Sequence, residues 1–305
     1  MTGRPVPSRP QRREAKEDRW RTMTTGHGHG HDERNEDHGA APSYVVPNSW
    51  EHARRRLELL ETCYDAPSFR RAAALGAREG WRCLEAGAGH GSYARWLGSQ
   101  VGAAGSVIAA DPDTRLLAGI TEPNIEVRQL DLVCDPPPGG QFDFIHTRMV
   151  LTHLPAREQV LRRLCAALRP GGIVMVEDLD AFPVLATATG AYREAWLAVI
   201  QACRAAGLDM SWARDLPSRL RRPGLAGIGA EADVPLFRGG SDHARSWSLT
   251  WQQVRDRVIA AGEPARVIDQ GIADLGDEQR WFCGPAMVTA WGRRQPHRRG
   301  ADAAS

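Results

Sequence analysis

Between residues 81 and 178, short apolar runs alternate with segments whose apolar positions recur every three or four residues. The runs at 81–86 (Trp-Arg-Cys-Leu-Glu-Ala), 106–110, 125–130, 142–147 and 173–178 have strand length and strand composition. Between them, Tyr93, Trp96, Leu97 and Val101, then Val160, Leu161, Leu164 and Leu168, keep helical spacing. Pro155 suits the first turn of the second of these helices, and Pro170-Gly171-Gly172 stops it before the next strand. Alternation of this kind predicts an α/β fold, a doubly wound parallel sheet with helices on both faces. Upstream, Trp50, Ala53, Leu57, Leu60 and Tyr64 predict an amphipathic helix, opened by a capping box of Asn48 and Glu51. Its Arg54-Arg55-Arg56 run reads as a solvated face, with anion contact as its other reading. Downstream, the pattern predicts helices at 190–206, 213–222 and about 247–261, and strands at 228–237 and 286–292. Arg238-Gly239-Gly240-Ser241 reads as a turn.

Residues 1–42 offer almost nothing apolar to bury, so a disordered His/Gly/charged tail is expected there, with order from Ser43. Its Gly-His-Gly-His-Gly-His run (26–31) could catch a divalent metal only adventitiously, and no dedicated metal site is expected. Met23 is an alternative start to Met1. The ordered domain is expected over 43–294, with a helical cap inserted at about 181–224 and a frayed tail at 295–305.

The chemistry concentrates where strands end. Glu85-Ala86-Gly87-Ala88-Gly89-His90-Gly91 follows the first strand directly, and a strand that turns sharply into a helix needs glycine where a Cβ would clash. A dinucleotide fingerprint requires Gly-x-Gly-x-x-Gly; position 92 is Ser, so the spacing disfavours a nicotinamide cofactor. Glu85 is also ill placed for a pyrophosphate and well placed for an ammonium. Asp111 ends the second strand, where a carboxylate can accept both hydroxyls of a ribose, and Asp131 ends the third, where it could accept from an exocyclic amine. Each acid alone could be a cap or a turn residue. Three at the ends of successive strands point to a nucleoside along that rim.

Composition narrows the partners. Thirty-nine basic residues, all but Lys16 arginine, nearly balance 37 acidic ones, so a dedicated polyanion binder is not expected. No run of about 18 apolar residues occurs and the N-terminus has no apolar signal core, so neither a membrane span nor secretion is expected. Six scattered cysteines without a Cys-x-x-Cys pair read as buried free thiols of a cytoplasmic protein.

Glu-Ala-Gly-Ala-Gly-His-Gly (85–91), Asp111, Asp131, Phe-Asp-Phe-Ile-His (142–146), Leu-Thr-His-Leu-Pro (151–155) and Leu-Arg-Pro-Gly-Gly (168–172) together resemble the class I S-adenosylmethionine-dependent methyltransferases. The subgroup is the type 11, or ubiquinone/menaquinone-methyltransferase-like, one, and the resemblance covers roughly residues 44–294. It implies a Rossmann-like seven-stranded sheet in order 3-2-1-4-5-7-6 with strand 7 antiparallel, and S-adenosyl-L-methionine as cofactor. By the same resemblance Glu85 would hold the methionine ammonium, Gly87, Ala88 and Gly89 would approach methionine and ribose, and Asp111 would take the ribose diol. Asp131 and Leu132 would frame the adenine, His146 would border the methionine moiety, and Tyr44 and Trp50 would lie in a lid. His90 departs from the small or other polar residue common at that position.

A sulfonium methyl is already activated, so transfer needs alignment more than functional groups. Where the acceptor arrives protonated, His153 is the candidate general base, with packing at a helix start as its other reading. Asp178 and Asp180 could grip an acceptor hydroxyl or serve a turn. His-Thr-Arg-Met follows the fourth strand in place of an Asp/Asn-Pro-Pro-aromatic motif, and no Pro-Cys dipeptide occurs, so nucleic acid is not the expected acceptor. The expected acceptor is a small, partly apolar molecule such as a secondary metabolite or a quinone. Trp196, Trp212, Trp247, Trp251, Phe182 and Met210 supply core and, in part, an apolar pocket. An NAD(P)-dependent Rossmann oxidoreductase and a non-catalytic S-adenosylmethionine-binding subunit remain as alternatives. Acceptor atom and oligomeric state stay open.

Overall fold

The computed structural model describes residues 46–296. The expected tail at 1–42, its His/Gly run, the alternative start at Met23, Tyr44, and the end of the chain from His297 lie outside the described residues.

The first helix, α1, spans Ala53–Ala74 and runs through Pro67. The capping box does not form: His52 occupies the N-cap position, without a side-chain cap, and Asn48 and Glu51 lie in the turns before it. Arg54 and Arg55 are exposed, but Arg56 is buried, which corrects the reading of the arginine run as one solvated face. The alternating unit then follows as β1 Arg82–Ala86, α2 Ser92–Val101, β2 Ser106–Asp111, β3 Ile125–Gln129, β4 Phe142–Arg148, α3 Arg157–Ala166 and β5 Leu168–Asp180. Pro155 lies two residues ahead of α3 rather than in its first turn, and β5 incorporates the Arg-Pro-Gly-Gly segment, pairing Leu168 with Phe142.

After β5 come α4 Phe182–Thr187, α5 Gly190–Arg204, a short helical turn at Trp212–Asp215, α6 Leu216–Arg221 and β6 Leu225–Asp233. The single strand expected at 228–237 is two. Val234-Pro235 interrupts it, since proline cannot donate to a ladder. The second piece, β7 Leu236–Arg238, pairs with β8 Trp281–Cys283 in a separate hairpin. Between these lie α7 Asp242–Ala260, capped by the Ser241 hydroxyl, and α8 Ala265–Gly276. No helix was expected at α8. Here glycine is a contact surface: a Cβ on Gly271 would overlap Ala195 on α5 and lie 2.9 Å from the Trp251 ring on α7. The last strand, β9, is Ala286–Arg294.

The main sheet has seven strands in the order β3-β2-β1-β4-β5-β9-β6. β9 runs antiparallel to both neighbours, and the remaining pairs are parallel. This is the Rossmann-like topology that the motifs implied. Alternate residues of the central strands enter opposite layers. Cys83, Val107, Ala109 and Phe144 pack with α1 and α2, while Leu84, Ile108, Ala110 and Ile145 pack with α3 and α6. Strands buried on both faces read as continuous apolar runs, which is why they were visible in the sequence. A third apolar cluster unites α5, α7 and α8 beyond the carboxyl ends of the strands. Cys83, Cys165 and Cys203 are buried thiols as expected; Cys134 is exposed. Among the described residues no helix is long and apolar enough to cross a membrane.

Candidate active site

A cavity of about 380 Å³ opens over the carboxyl ends of β1, β2, β4 and β5. One end is built by the sheet rim and carries Glu85, the 87–90 loop, Asp111, Asp131 and Leu132. The other is built by helices and carries Arg56 and Leu60 of α1, Trp196 and Val199 of α5, and Trp247 of α7, while Leu57 of α1 packs against Gly89 of the loop.

At the sheet end the loop after β1 is fixed by its own backbone. The Gly87 and Ala88 N–H groups donate to the Ala110 carbonyl at 2.8 and 2.9 Å. Gly87 has φ +86°, and a Cβ there would overlap Val150 Cγ2 across the cavity floor. Asp111 is buried. Its Oδ2 accepts from the Gly89 N–H and its Oδ1 from the Asp113 N–H, both at 3.0 Å. Burial pushes its carboxyl above the usual range, and these two bonds pull it partly back. Asp131 is exposed at the rim, where its Oδ1 accepts from the Val133 N–H at 2.8 Å; Leu132 beside it is buried.

Glu85 is 3 % exposed, and its Oε2 lies 2.7 Å from His146 Nδ1. His146 Nε2 lies 2.9 Å from Glu177 Oε2, and the Thr289 hydroxyl donates to Glu177 Oε1 at 2.7 Å. A carboxyl group faces each ring nitrogen, an arrangement that favours the doubly protonated imidazolium. Burial alone would depress His146, but the charges and hydrogen bonds of Glu85 and Glu177 raise it. Burial likewise pushes Glu177 up, and the His146 bond and charge more than offset it, bringing the carboxyl down to about 2. Glu85 is raised by burial against the pull of His146. Tyr93 stacks on the imidazole at 3.7 Å between centroids. Thus His146 does not border the cavity as expected; it lies beneath the floor and holds Glu85 from below.

His153 stands in the cavity wall at the helical end. Burial, then the charges of Arg56 and Arg157, hold its imidazole down at about 3. A ring so reluctant to take a proton is a poor general base at neutral pH, where the best base has a pKa near the working pH. The setting corrects the expected role to that of a neutral hydrogen-bonding group. Asp178 and Asp180 are fully buried and do not line the cavity, contrary to the expectation that they could grip an acceptor. Asp178 Oδ2 accepts from the Thr152 N–H at 3.2 Å, and burial pushes its carboxyl to about 8. Asp180 forms a two-pronged pair with Arg214, each bond 2.7 Å, and accepts from the Phe182 N–H.

Trp196, Trp247 and Met210 face the cavity; Trp212, Trp251 and Phe182 do not, and Trp50 lies outside its wall. His90 ties the glycine loop to α1, with Nε2 2.8 Å from Arg54 Nη1 and Nδ1 3.1 Å from Glu61 Oε2. Glu61 Oε1 also accepts from the Ser92 N–H at the start of α2. Sequence reasoning missed Glu61, Arg56 and Met149. The signal for the first two was their spacing on the apolar face of α1; Met149 has φ +55°, which nothing in the sequence announces.

Residues 50–227 match the family model described as a methyltransferase domain. The methyltransferase str3 of Strobilurus tenacellus is 38 % identical over 100 residues, covering 32 % of this chain and 35 % of that protein. The ubiquinone/menaquinone biosynthesis C-methyltransferase UbiE of Francisella tularensis subsp. novicida is 29 % identical over 127 residues, covering 39 % of this chain and 50 % of that protein. The chain thus spans between about a third and a half of the length of these curated relatives. Among solved structures, the YcgJ protein of Bacillus subtilis superposes with a TM-score of 0.52 at 16 % identity, covering 76 % of this chain and all of that one. A cyclopropane-fatty-acyl-phospholipid synthase-like protein of Lactobacillus casei gives 0.52 at 16 %, covering 80 % and 94 %. At such identities the structures speak for the fold, and the family model speaks for the family: the chain belongs to the methyltransferase-domain family.

Proposed function

We propose that the protein transfers a methyl group from S-adenosyl-L-methionine to a small, largely apolar molecule. The observation that carries this reading is the cavity's division into a carboxylate-lined end on the sheet and an apolar end between helices. The residues present fit the donor. Glu85 is a buried carboxylate facing the cavity, suited to an ammonium, and Asp111 stands where a diol would meet it. Gly87 turns the loop with φ +86° directly against Val150, which lets the backbone of the 87–89 segment line the cavity. Asp131 and Leu132 stand at the rim, suited to a purine edge and face.

When bound, this cofactor supplies a methyl group already activated on a positively charged sulfur. The chain's own residues then have to orient and to exclude water. His146 and Glu177 fix the Glu85 carboxylate, the Ala110 carbonyl fixes the loop, and α1 and α5 close the helical end. Ordering two reactants in this way is worth about 7–11 kcal/mol of barrier where the geometry is well aligned. No protein base is assigned, since burial and two arginines leave His153 too weakly basic to take a proton at neutral pH. Residues 43–294 act as one methyltransferase domain in this reading, with 181–224 as its cap. The relatives named for ubiquinone and menaquinone biosynthesis favour a quinone-like acceptor, and the unpaired cysteines favour a cytoplasmic setting.

Calorimetry with S-adenosylhomocysteine tests the donor end, with binding at one site per chain expected. A response to NADH or NADPH with none to S-adenosylhomocysteine overturns the reading. Tight nucleoside binding without methyl transfer across a panel of quinols and phenols would leave a binding subunit instead.

A further inference from the structure

The two ends of the cavity carry opposite charge. Glu85, Asp111, Asp113 and Asp131 line the sheet end. Two further charged groups of the wall are already paired, Arg148 with Asp65 at 2.6 Å and Glu61 with His90 and the Ser92 N–H. At the helical end stands Arg56, 4 % exposed, and the charge of Arg157 also reaches His153. Arg157 is itself buried and tied down, donating to the Leu154 and Gly207 carbonyls and pairing with Asp209 at 3.1 Å. The positive field there is felt by His153, which two arginines and burial keep neutral. The rest of this end is hydrocarbon, from Leu60 on α1 to Trp196 and Val199 on α5, with the Thr250 hydroxyl from α7. A guanidinium offers five N–H donors in a planar fork, enough to serve a ligand oxygen beside any protein partner, and it is a strong anion binder where water is sparse. An anion entering this cavity is repelled by the carboxylates at one end and attracted at the other, so charge alone sets its orientation.

We propose that the methyl acceptor is an apolar molecule bearing an anionic oxygen, a carboxylate or an ionised phenol, and that Arg56 with His153 receives that oxygen. This names the acceptor class and rests on the methyltransferase reading. The hydrocarbon body then lies against Trp196, Val199 and Leu60, and the tryptophans report its arrival.

The test is titration of the full chain, saturated with S-adenosylhomocysteine, followed by tryptophan fluorescence and calorimetry. Two matched pairs of probes separate charge from shape: 2-naphthoate against 2-naphthamide, and 4-nitrophenolate against 4-nitroanisole. The anion of at least one pair should bind about tenfold or more tightly than its neutral partner, and which pair responds distinguishes carboxylate from phenolate. Arg56→Gln should bring that preference within about threefold while S-adenosylhomocysteine affinity holds. Arg56→Lys should retain part of it. Thermal melting checks that the variants fold, and the wild-type comparison stands without them. Equal or tighter binding of both neutral probes, no binding of either anion, or an unchanged preference in Arg56→Gln overturns the proposal. If S-adenosylhomocysteine itself fails to bind the wild type, the donor reading falls first; if it binds and no anion preference appears, the acceptor class alone falls.

Discussion

Two histidines mark the two ends of the cavity and sit in opposite settings. His146 is wedged between two carboxyl groups that raise its pKa; His153 feels burial and the charges of two arginines that lower its own. The sheet end is polar and built from acids at strand ends, Asp111 held by the Gly89 and Asp113 N–H groups and Glu85 by the His146 ring of the neighbouring strand. The helical end is assembled from α1, α5 and α7, far apart in sequence, and meets the ligand mainly with hydrocarbon. The difference teaches that, in the proposed reading, the donor end depends on residues at strand ends, whereas the acceptor end depends on how helices pack.

The largest test of that contrast is Gly87→Ala. A methyl there overlaps Val150 and demands a positive φ from a residue with a Cβ, two costs of about 1–3 kcal/mol each. S-adenosylhomocysteine affinity should fall by about a hundredfold or more, while naphthoate binding at the helical end changes little. Val150→Ala added to Gly87→Ala should restore part of the loss, since it removes the overlap and leaves the backbone strain. Calorimetry on both variants decides. Equal loss at both ends would mean that the ends are one unit.

Asp111→Ala comes next. The loss of a carboxylate that bonds Gly89 and faces the cavity should weaken S-adenosylhomocysteine by about 1–3 kcal/mol, read by the same calorimetry. An unchanged affinity removes Asp111 from the donor site. The converse test, at the helical end, is Gly271→Ala. It forces α8 away from Ala195 and Trp251, and overpacking of this kind costs about 1–3 kcal/mol of stability. Denaturant unfolding should register it, with donor affinity little altered.

These tests follow the line between what the sequence revealed and what it hid. Glu85, Asp111 and the glycine loop were legible because strand, turn and acid are contiguous, and burial on both faces made the strands uninterrupted apolar runs. α8 was hidden because a glycine that permits close helix packing looks the same as one that breaks a helix. Arg56 was hidden among three arginines, and only the rotation of α1 turns it inward. Asp178 and Asp180 looked like ligand groups because they end a strand, yet β5 and the segment after it bury them under backbone N–H groups and Arg214. His146 was placed one layer too high: it sits within β4 beside Glu85, and its ring bridges Glu85 and Glu177 instead of lining the cavity. Position along the chain gave the neighbourhood; side-chain direction needed the fold.

The smallest expected effect returns to the two histidines, whose linkage to pH has opposite signs. His153 falls from an ordinary 6.5 to about 3 in the folded protein, so between those values the unfolded chain binds a proton that the native one refuses. Stability is therefore lost as pH drops below about 6.5, and His153→Asn should flatten that acid limb. His146 is raised in the folded protein, so its contribution is complete below 6.5 and is lost as pH climbs through the raised value. His146→Gln should flatten the alkaline limb, at most about 1.4 kcal/mol per pH unit for the one proton. Asp178, raised to about 8, also loses stability as pH rises, but over a window that opens near 4, so Asp178→Asn removes a slope that begins well before the His146 one. Urea midpoints from pH 5 to 9 across the three variants separate them. If His146→Gln leaves the alkaline limb as steep as in the wild type, the ring between Glu85 and Glu177 is not the imidazolium, and the contrast between the two ends of the cavity loses its electrostatic half.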